Sequence, residues 1–266
     1  MTTIVTTYVG RRRFLIAGVA VAVLAAGVLA TAGDDQRDAV AAVQPVIPLD
    51  DVMSYKVSWA GIHCGAMTLE SSVEQTDDGP VYHIVMTART SKFFDGIYRV
   101  RSRIESVFSG ARMSSVTYHE TSEEKKKTKD SLWVVDFDNH RVVRTEGDER
   151  QEIPITSLHV YDPLAFIYRT RLLLNEPGDA VTLTMVTSDG DVDTVAEVVE
   201  RKAISTPFGK QEALRVVPRP KDEMLFSNKG AMSIWVSTDA ARTPYRIEFD
   251  LSFGKLVAKL KDSERD

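Results

Sequence analysis

Apolar and polar residues alternate along most of this chain beyond residue 50, and this period of two limits the fold more than any other feature. Successive side chains of a strand point to opposite faces, so the alternation predicts strands with one buried face. In 52–59, for example, Met53, Tyr55 and Val57 share a face. The predicted strands are 52–59, 81–89, 98–108, 115–120, 132–137, 141–145, 181–187, 195–200, 213–217, 232–236, 245–251 and 255–260. Short turns rich in Asp, Asn and Gly separate them, which indicates an antiparallel meander.

One segment departs from the alternation and predicts a helix at 162–175. Asp162 is a suitable N-cap residue, and Pro163 fits the first helical turn. The run is apolar on nearly every side except near Arg169 and Arg171, so we expect it to be enclosed. A long twisted sheet curls, and its concave side must be filled. We therefore predict a mainly β fold, in which an antiparallel meander curls into an open or closed β-barrel around this one buried helix.

The N-terminal residues have the layout of an export signal. Three arginines at 11–13 precede an uncharged stretch at 14–33, which contains the small residues Ala30-Thr31-Ala32. This predicts a signal peptide at 1–32. The arginines followed by Phe14-Leu15 also resemble the twin-arginine pattern. The alternative is an uncleaved inner-membrane anchor, because about 20 apolar residues can span a bilayer. Both interpretations place the remaining chain outside the cytoplasm, in the bacterial periplasm or cell envelope.

The rest of the chain predicts a tether at 33–49 and a single barrel-like β domain at 50–262. Loss of the signal removes three arginines and changes the net charge from -5 to -8. This acidity argues against a nucleic-acid partner, which favours surplus Lys and Arg. Cys64 is the only cysteine, so no intramolecular disulfide can form and packing must stabilise the fold.

No group of residues has the spacing of a catalytic or metal site. The histidines never occur at the i,i+2 or i,i+4 spacing that places two imidazoles on one metal. His63 and Cys64 are adjacent, and adjacent strand residues point to opposite faces, so the histidine cannot readily deprotonate the thiol. We expect Cys64 to be buried and structural, beside Gly61 and Gly65, where a strand bends or another backbone approaches. We therefore predict no catalytic residues, no metal and no cofactor.

Three arginines form the most suggestive polar feature. Arg99, Arg101 and Arg103 alternate along one predicted strand and hence share a face. On an outer face they would belong to an ordinary solvated sheet. On the concave side they would bind a phosphate or carboxylate head group, with Arg89, Arg169 or Arg171 as a neighbour.

Aromatic side chains supply the apolar half of the same binding hypothesis. The candidate lining residues are Trp59, Tyr98, Trp133 and Trp235. Ligand sites are mostly apolar with a few placed polar groups, although these rings would serve equally well as ordinary core. The lysine-rich run at 123–130 predicts a solvated hairpin end, with peripheral contact to a membrane surface as the alternative.

Several segments resemble a bacterial envelope family known as domain of unknown function 3108. The segments are 55–62, 161–169, 206–209, 212–213, 234–239 with Pro244, and 253–254. The similarity spans about residues 50 to 260. The resemblance implies an all-β, barrel-like domain with an enclosed helix, similar in shape to bacterial lipoprotein carriers and lipid-binding envelope proteins. It brings no catalytic residues.

Together these patterns favour an exported, non-enzymatic envelope protein that binds or carries an apolar or amphipathic ligand, such as a lipid or acyl chain, within its curled sheet. The alternative is a structural or assembly factor that holds an envelope protein partner through its strand edges or outer face. A hydrolase with residues gathered from distant strands is a third interpretation.

Overall fold

The computed structural model describes residues 50–125, 127–221, 232–251 and 254–265. The predicted signal peptide and nearly all of the tether lie outside the described residues. The strands are β1 (Asp51–Trp59), β2 (Ile62–Thr76), β3 (Gly79–Thr90), β4 (Val100–Ser109), β5 (Ser114–Glu124), β6 (Lys127–Asp136), β7 (Arg141–Glu146), β8 (Glu149–Pro154), β9 (Val160–Tyr161), β10 (Ala180–Val186), β11 (Asp191–Thr206), β12 (Gly209–Pro220), β13 (Met232–Ser237), β14 (Pro244–Leu251) and β15 (Gly254–Arg265). The helices are α1 (Lys92–Tyr98) and α2 (Pro163–Leu173).

All of these strands belong to one sheet. Its order is β8-β7-β6-β5-β4-β3-β2-β1-β15-β14-β13-β12-β11-β10-β9. Every neighbouring pair is antiparallel except β9 and β10, which run parallel. Because β1 pairs with β15, the first and last described strands join two meanders in the middle of the sheet. The edge strands β8 and β9 do not pair with each other, so within the described residues the predicted barrel is open.

The alternation in the sequence sorts residues between the two faces as predicted. Met53, Tyr55 and Val57 of β1 are buried, whereas Val52 and Lys56 are exposed. Neighbouring strands continue the same buried face with Leu69, Ile84, Met86, Ile104, Ile247, Leu256, Ala258 and Leu260. The buried face is the side against which α2 packs, and burial of its apolar side chains is the main source of stability.

Helix α2 confirms the predicted buried helix. The Asp162 carboxylate caps it, because its Oδ1 accepts hydrogen bonds from the backbone N–H groups of Leu164 at 2.8 Å and Ala165 at 3.1 Å. Every residue from Leu164 to Arg171 is buried. Such a helix, apolar nearly all round, is stable only when enclosed.

Polar contacts tie both ends of α2 to the sheet. At the N-terminal end, the hydroxyls of Ser106 in β4 and Ser115 in β5 each donate to Asp162 Oδ2 at 2.6 Å. At the C-terminal end, Arg171 lies 3.5 Å from the carboxylate of Asp51 in β1. The helix therefore crosses the inner face from β5 to β1.

Some elements differ from the sequence prediction. The alternation did not reveal β2, β8 or β9, and it did not reveal α1. The strand predicted at 98–108 begins only at Val100, because Tyr98 ends α1. Neither helix of the described residues has the length and apolar character needed to cross a bilayer.

The segment around Cys64 shows the predicted close backbone approach. The strands β2 and β3 lie so near each other at Gly65 that a Cβ there would overlap the carbonyl oxygen of Arg89. Cys64 itself is buried, its Sγ lies 3.6 Å from the Val57 carbonyl oxygen, and burial raises the pKa of its thiol. These features fit a structural cysteine rather than a thiolate nucleophile.

We expect Gly65→Ala to destabilise the protein by roughly 1–3 kcal/mol, because the backbones of β2 and β3 must separate to admit the methyl group. The matched control is Gly96→Ala in α1, where nothing lies within 4 Å of the added Cβ. That change should be neutral or stabilising, since alanine favours helix over glycine. Denaturant midpoints of both variants test this, and equal midpoints would contradict the close approach.

Candidate functional site

The outer face of the sheet carries a groove of about 630 Å³ that crosses four strands, β3 to β6. We call it the arginine groove. The register of the strands shows that two rows of outward-facing side chains form the walls of this groove. One row is Arg89, Arg101, Glu123 and Thr128, and the other is Thr87, Arg103, Thr121 and Asp130. The backbone of the residues between them forms the floor.

The three arginines predicted to share a face all lie outside the concave side, which corrects the head-group hypothesis for them. The inward residues of β4 are Val100, Ser102 and Ile104, so Arg101 and Arg103 point outward. Arg99 precedes the strand as the C-cap of α1. None of the three can share an interior site with Arg169.

Each of these arginines has a carboxylate partner. Arg99 pairs with Glu123 at 3.1 Å, and Arg103 pairs with Glu105 at 2.7 Å. Arg101 holds Asp95 with two hydrogen bonds of 2.6 and 2.9 Å. The repulsion expected among three like charges is therefore relieved by acids on the same surface.

The four aromatic candidates also separate. Trp59 and Trp133 pack against the main core, and Trp133 lies 5.3 Å from the ring of Tyr118. Tyr98 lies at the end of α1, where its hydroxyl donates to Glu124 at 3.1 Å. Trp235 is buried in a small separate cluster with Ile204 and Ala213. The eight predicted site residues do not form one site, and their role in binding a ligand stays a prediction.

The interior instead contains a polar cluster around the end of α2, in which the sequence pointed to Arg171 but not to Asp51 or Ser71. Arg171 is 1% exposed, and its guanidinium lies over the ring of Tyr168 at 4.1 Å. It has one counter-charge, Asp51, at 3.5 Å, which also accepts a 2.5 Å hydrogen bond from Ser71. None of the guanidinium nitrogens makes a well-aligned hydrogen bond. Burial raises the pKa of Tyr168 to about 12.

The second interior arginine, Arg169, lacks the kind of counter-charge that Arg171 has among the described residues. Its side chain is 7% exposed, and its Nε has no hydrogen-bond partner. The described residues supply no carboxylate for it; its polar neighbours are the phenols of Tyr161, which hydrogen-bonds the guanidinium, and Tyr82. Burial lowers the pKa of Arg169. A buried cation of this kind favours an anion that brings its own acceptors.

An aromatic wall stands beside Arg169. The rings of Tyr82, Phe108 and Tyr161 follow one another with centroid separations of 5.9 and 5.6 Å. Phe108 and Tyr161 are buried, whereas Tyr82 is only partly buried. The wall therefore leads from solvent to the guanidinium. We call Arg169 and these three rings the interior arginine site.

Comparisons with known proteins identify the family of this chain. The family model described as protein of unknown function (DUF3108) matches residues 54–261. The chain belongs to the DUF3108 family. No curated protein matches it.

Solved structures share the fold of this DUF3108 chain at low identity. A β-barrel-like protein of domain of unknown function DUF1849 from Brucella abortus aligns with a TM-score of 0.54 and 10% identity, covering 84% of this chain and 100% of that one. An exported-type protein with a YmcC-like fold from Bacteroides fragilis gives 0.38 at 11% identity, covering 84% and 98%. A protein described as a lipoprotein from Parabacteroides distasonis gives 0.33 at 12% identity, covering 83% and 97%. At such identity only the first comparison supports the fold, and none supports a site.

We expect Asp51→Asn to destabilise the protein by about 3–5 kcal/mol, because it leaves the buried Arg171 without its counter-charge. Adding Arg171→Met should recover most of the loss, since an apolar side chain needs no partner. Glu212→Gln, which breaks the exposed pair with Arg201, is the control and should have little effect. Urea unfolding measures all three, and an Asp51→Asn loss no larger than that of the control would show that the pair is unimportant.

Arg101, which lines the arginine groove, changes the pKa of a neighbouring acid, Asp95. Hydrogen bonds from Arg101 and then Thr90 lower the pKa of Asp95 from 3.8 to about 2. The stabilisation from this pair is complete above the unfolded pKa and is lost as the pH falls from about 4 toward 2. The carboxyl carbon of Asp95, followed by NMR, should titrate near the lower value. In Arg101→Gln the pKa should return toward 3.8, whereas Arg103→Gln should leave it unchanged.

Proposed function

We propose that this protein is a non-enzymatic binder of an anionic amphipathic molecule, with the acidic head group at the interior arginine site and the apolar part along the concave face. A lipid or fatty acid has the required chemistry. The single observation that carries the proposal is the buried guanidinium of Arg169, which has an unpaired Nε and no carboxylate partner among the described residues.

The electrostatics of the site favour an anion. An ion removed from water costs several kcal/mol unless opposite charge and hydrogen bonds compensate. Asp162, the N-cap carboxylate of α2, already accepts hydrogen bonds from two serines and two backbone groups. A ligand carboxylate or phosphate would supply the acceptors that Arg169 lacks, and the phenol of Tyr161 would help to orient it.

The surroundings suit the apolar part of such a ligand. The aromatic wall of Tyr82, Phe108 and Tyr161 provides a path from solvent, and the core residues of α2 and the sheet lie behind it. Ligand sites of this type combine apolar walls with a few oriented polar groups. The predicted export signal supports a periplasmic or envelope location for this activity, where apolar cargo must cross water.

The alternative, a structural factor that holds a protein partner along a strand edge, has less support. The edge strand β8 carries Glu149, Arg150 and Glu152 and ends at Pro154. Charged side chains and proline on an edge discourage pairing with another chain. Partner binding through the outer face stays a separate interpretation.

We expect Arg169→Met to reduce binding of a fluorescent long-chain fatty acid by about tenfold or more, because a charge-assisted hydrogen bond is lost. The fold should keep or gain stability, since the variant no longer buries an unpaired charge. Arg103→Met, on the outer face, should bind like the wild type.

Two further measurements make the test decisive. The uncharged alcohol of the same chain should bind wild type and Arg169→Met equally, because it cannot use the guanidinium charge. Mass spectrometry of protein purified from its native envelope should detect an acidic lipid on the wild type and less on the variant. The proposal fails if neither fatty acid nor native lipid binds, or if Arg169→Met binds the acid as well as the wild type.

A further inference from the structure

The two most apolar exposed side chains of α1 form a stripe on its outer surface. Phe93 is 74% exposed and Ile97 is 61% exposed, and their i,i+4 spacing places them on one face of the helix. Ile62, which begins the adjacent strand β2, is also 61% exposed. These are the most exposed large apolar side chains in the described part of the chain. Clustered exposure of this kind marks an interaction surface more often than single exposed residues do.

Helix α1 is held firmly, so this exposure is not a consequence of a frayed segment. The Ser91 hydroxyl caps the helix by accepting from the N–H of Phe94. Phe94 is buried in the main core. Asp95 accepts hydrogen bonds from Thr90 and from both terminal nitrogens of Arg101. The fixed helix turns Phe93 and Ile97 toward solvent.

Four cations belong to α1 or to the strand ends and turn next to it. Arg89, Lys92, Lys125 and Lys127 are exposed, and none of them pairs with a carboxylate in the described residues. Lys125 lies over the ring of Tyr98 at the end of α1, 4.7 Å from its centroid. The nearby acids are largely engaged, because Asp95 and Glu123 pair with arginines and Glu124 accepts from Tyr98. This local positive surplus contrasts with the net charge of -5 for the whole chain.

We propose that α1, Ile62 and these four cations form a membrane-docking surface that binds the head-group region of an anionic lipid bilayer. Phe93, Ile97 and Ile62 enter the boundary between head groups and acyl chains, while the lysines contact lipid phosphates. Asp51, at the start of β1, and Ile62 lie at opposite ends of the β1–β2 hairpin. The membrane contact of Ile62 therefore does not depend on the residues before position 50. The proposal is independent of any ligand at Arg169.

Tryptophan fluorescence tests the surface locally. Phe93→Trp and the matched control Phe208→Trp place the reporter at two exposed sites, the second on the turn between β11 and β12. In the presence of phosphatidylglycerol-containing vesicles with brominated acyl chains, the emission at position 93, taken as the difference from the wild type with its native Trp59, Trp133 and Trp235, should be blue-shifted and quenched. The emission at 208 should not change. Vesicles of phosphatidylcholine alone should quench position 93 much less.

Charge variants test the electrostatic part in the Phe93→Trp background. Each of Lys92→Gln and Lys127→Gln should raise the anionic lipid concentration needed for half-maximal quenching about fivefold, since a lysine near such a surface contributes about 1 kcal/mol. Lys202→Gln, an exposed lysine on β11, should have no effect. Circular dichroism of every variant should match that of the wild type.

Three results would overturn the proposal. They are no greater quenching at 93 than at 208, equal quenching by neutral and anionic vesicles, and an unchanged lipid requirement in both lysine variants. If position 93 is not quenched while a photo-crosslinker at 97 yields one protein adduct in intact cells, the surface binds a protein and the membrane proposal is wrong.

Discussion

The buried carboxylate of Asp162 is the interaction on which this architecture most depends. It begins α2 by capping two backbone N–H groups and fastens the helix to β4 and β5 through two serine hydroxyls. Burial raises its pKa, while those four hydrogen bonds favour the ionised form. One side chain therefore fixes where the helix lies across the concave face of an open sheet. Without that helix, the residues of the main core that lie on the sheet would lose the side chains of α2 as packing partners.

The burial of α2 also buries charged side chains. Its sequence carries two arginines into an apolar interior, and in the described part of the chain a carboxylate neutralises only one of them. Arg171 has Asp51 and the face of Tyr168, whereas Arg169 has phenols. A packed core gains nothing from an unpaired guanidinium, because an apolar side chain of similar volume would be at least as stable. This imbalance distinguishes the interior from an ordinary core.

On the outer surface, arginines pair with exposed acids. There the arginines of β4 and the residue before it pair with acids within reach of water, and such pairs contribute little to stability. The surface around α1 lacks this balance, since its cations outnumber the acids available to them. The interior arginine site and the cationic surface around α1 are thus two separate features of the molecule. The Brucella abortus DUF1849 structure shares the fold of this DUF3108 chain, which carries both features. At 10% identity the similarity covers the fold and neither of the two features.

Local chemistry in the sequence was enough to predict the strands that alternate cleanly, such as β1 and β3, and the helix that begins at Asp162-Pro163. It was not enough for β2, where Gly65, Ala66, Thr68 and Ser72 weaken the alternation, or for α1, whose seven residues are too few for a period of 3.6 to be recognised. The placement of the site was harder still. Alternation shows that Arg101 and Arg103 share a face, but the opposite face carries Ser102 and Ser106 as well as Val100 and Ile104, so polarity did not show which face is inside.

The sequence by itself determined that this chain forms curled antiparallel strands around one helix, because strand alternation and helix capping depend on residues close together in the chain. Only the tertiary structure decided that β1 pairs with β15 and that the sheet opens between β8 and β9. It also decided that Arg171 meets Asp51, while Arg169 meets no carboxylate of the described residues. These contacts join residues far apart in the chain. Their energies depend on burial and orientation, which no local pattern of residues records.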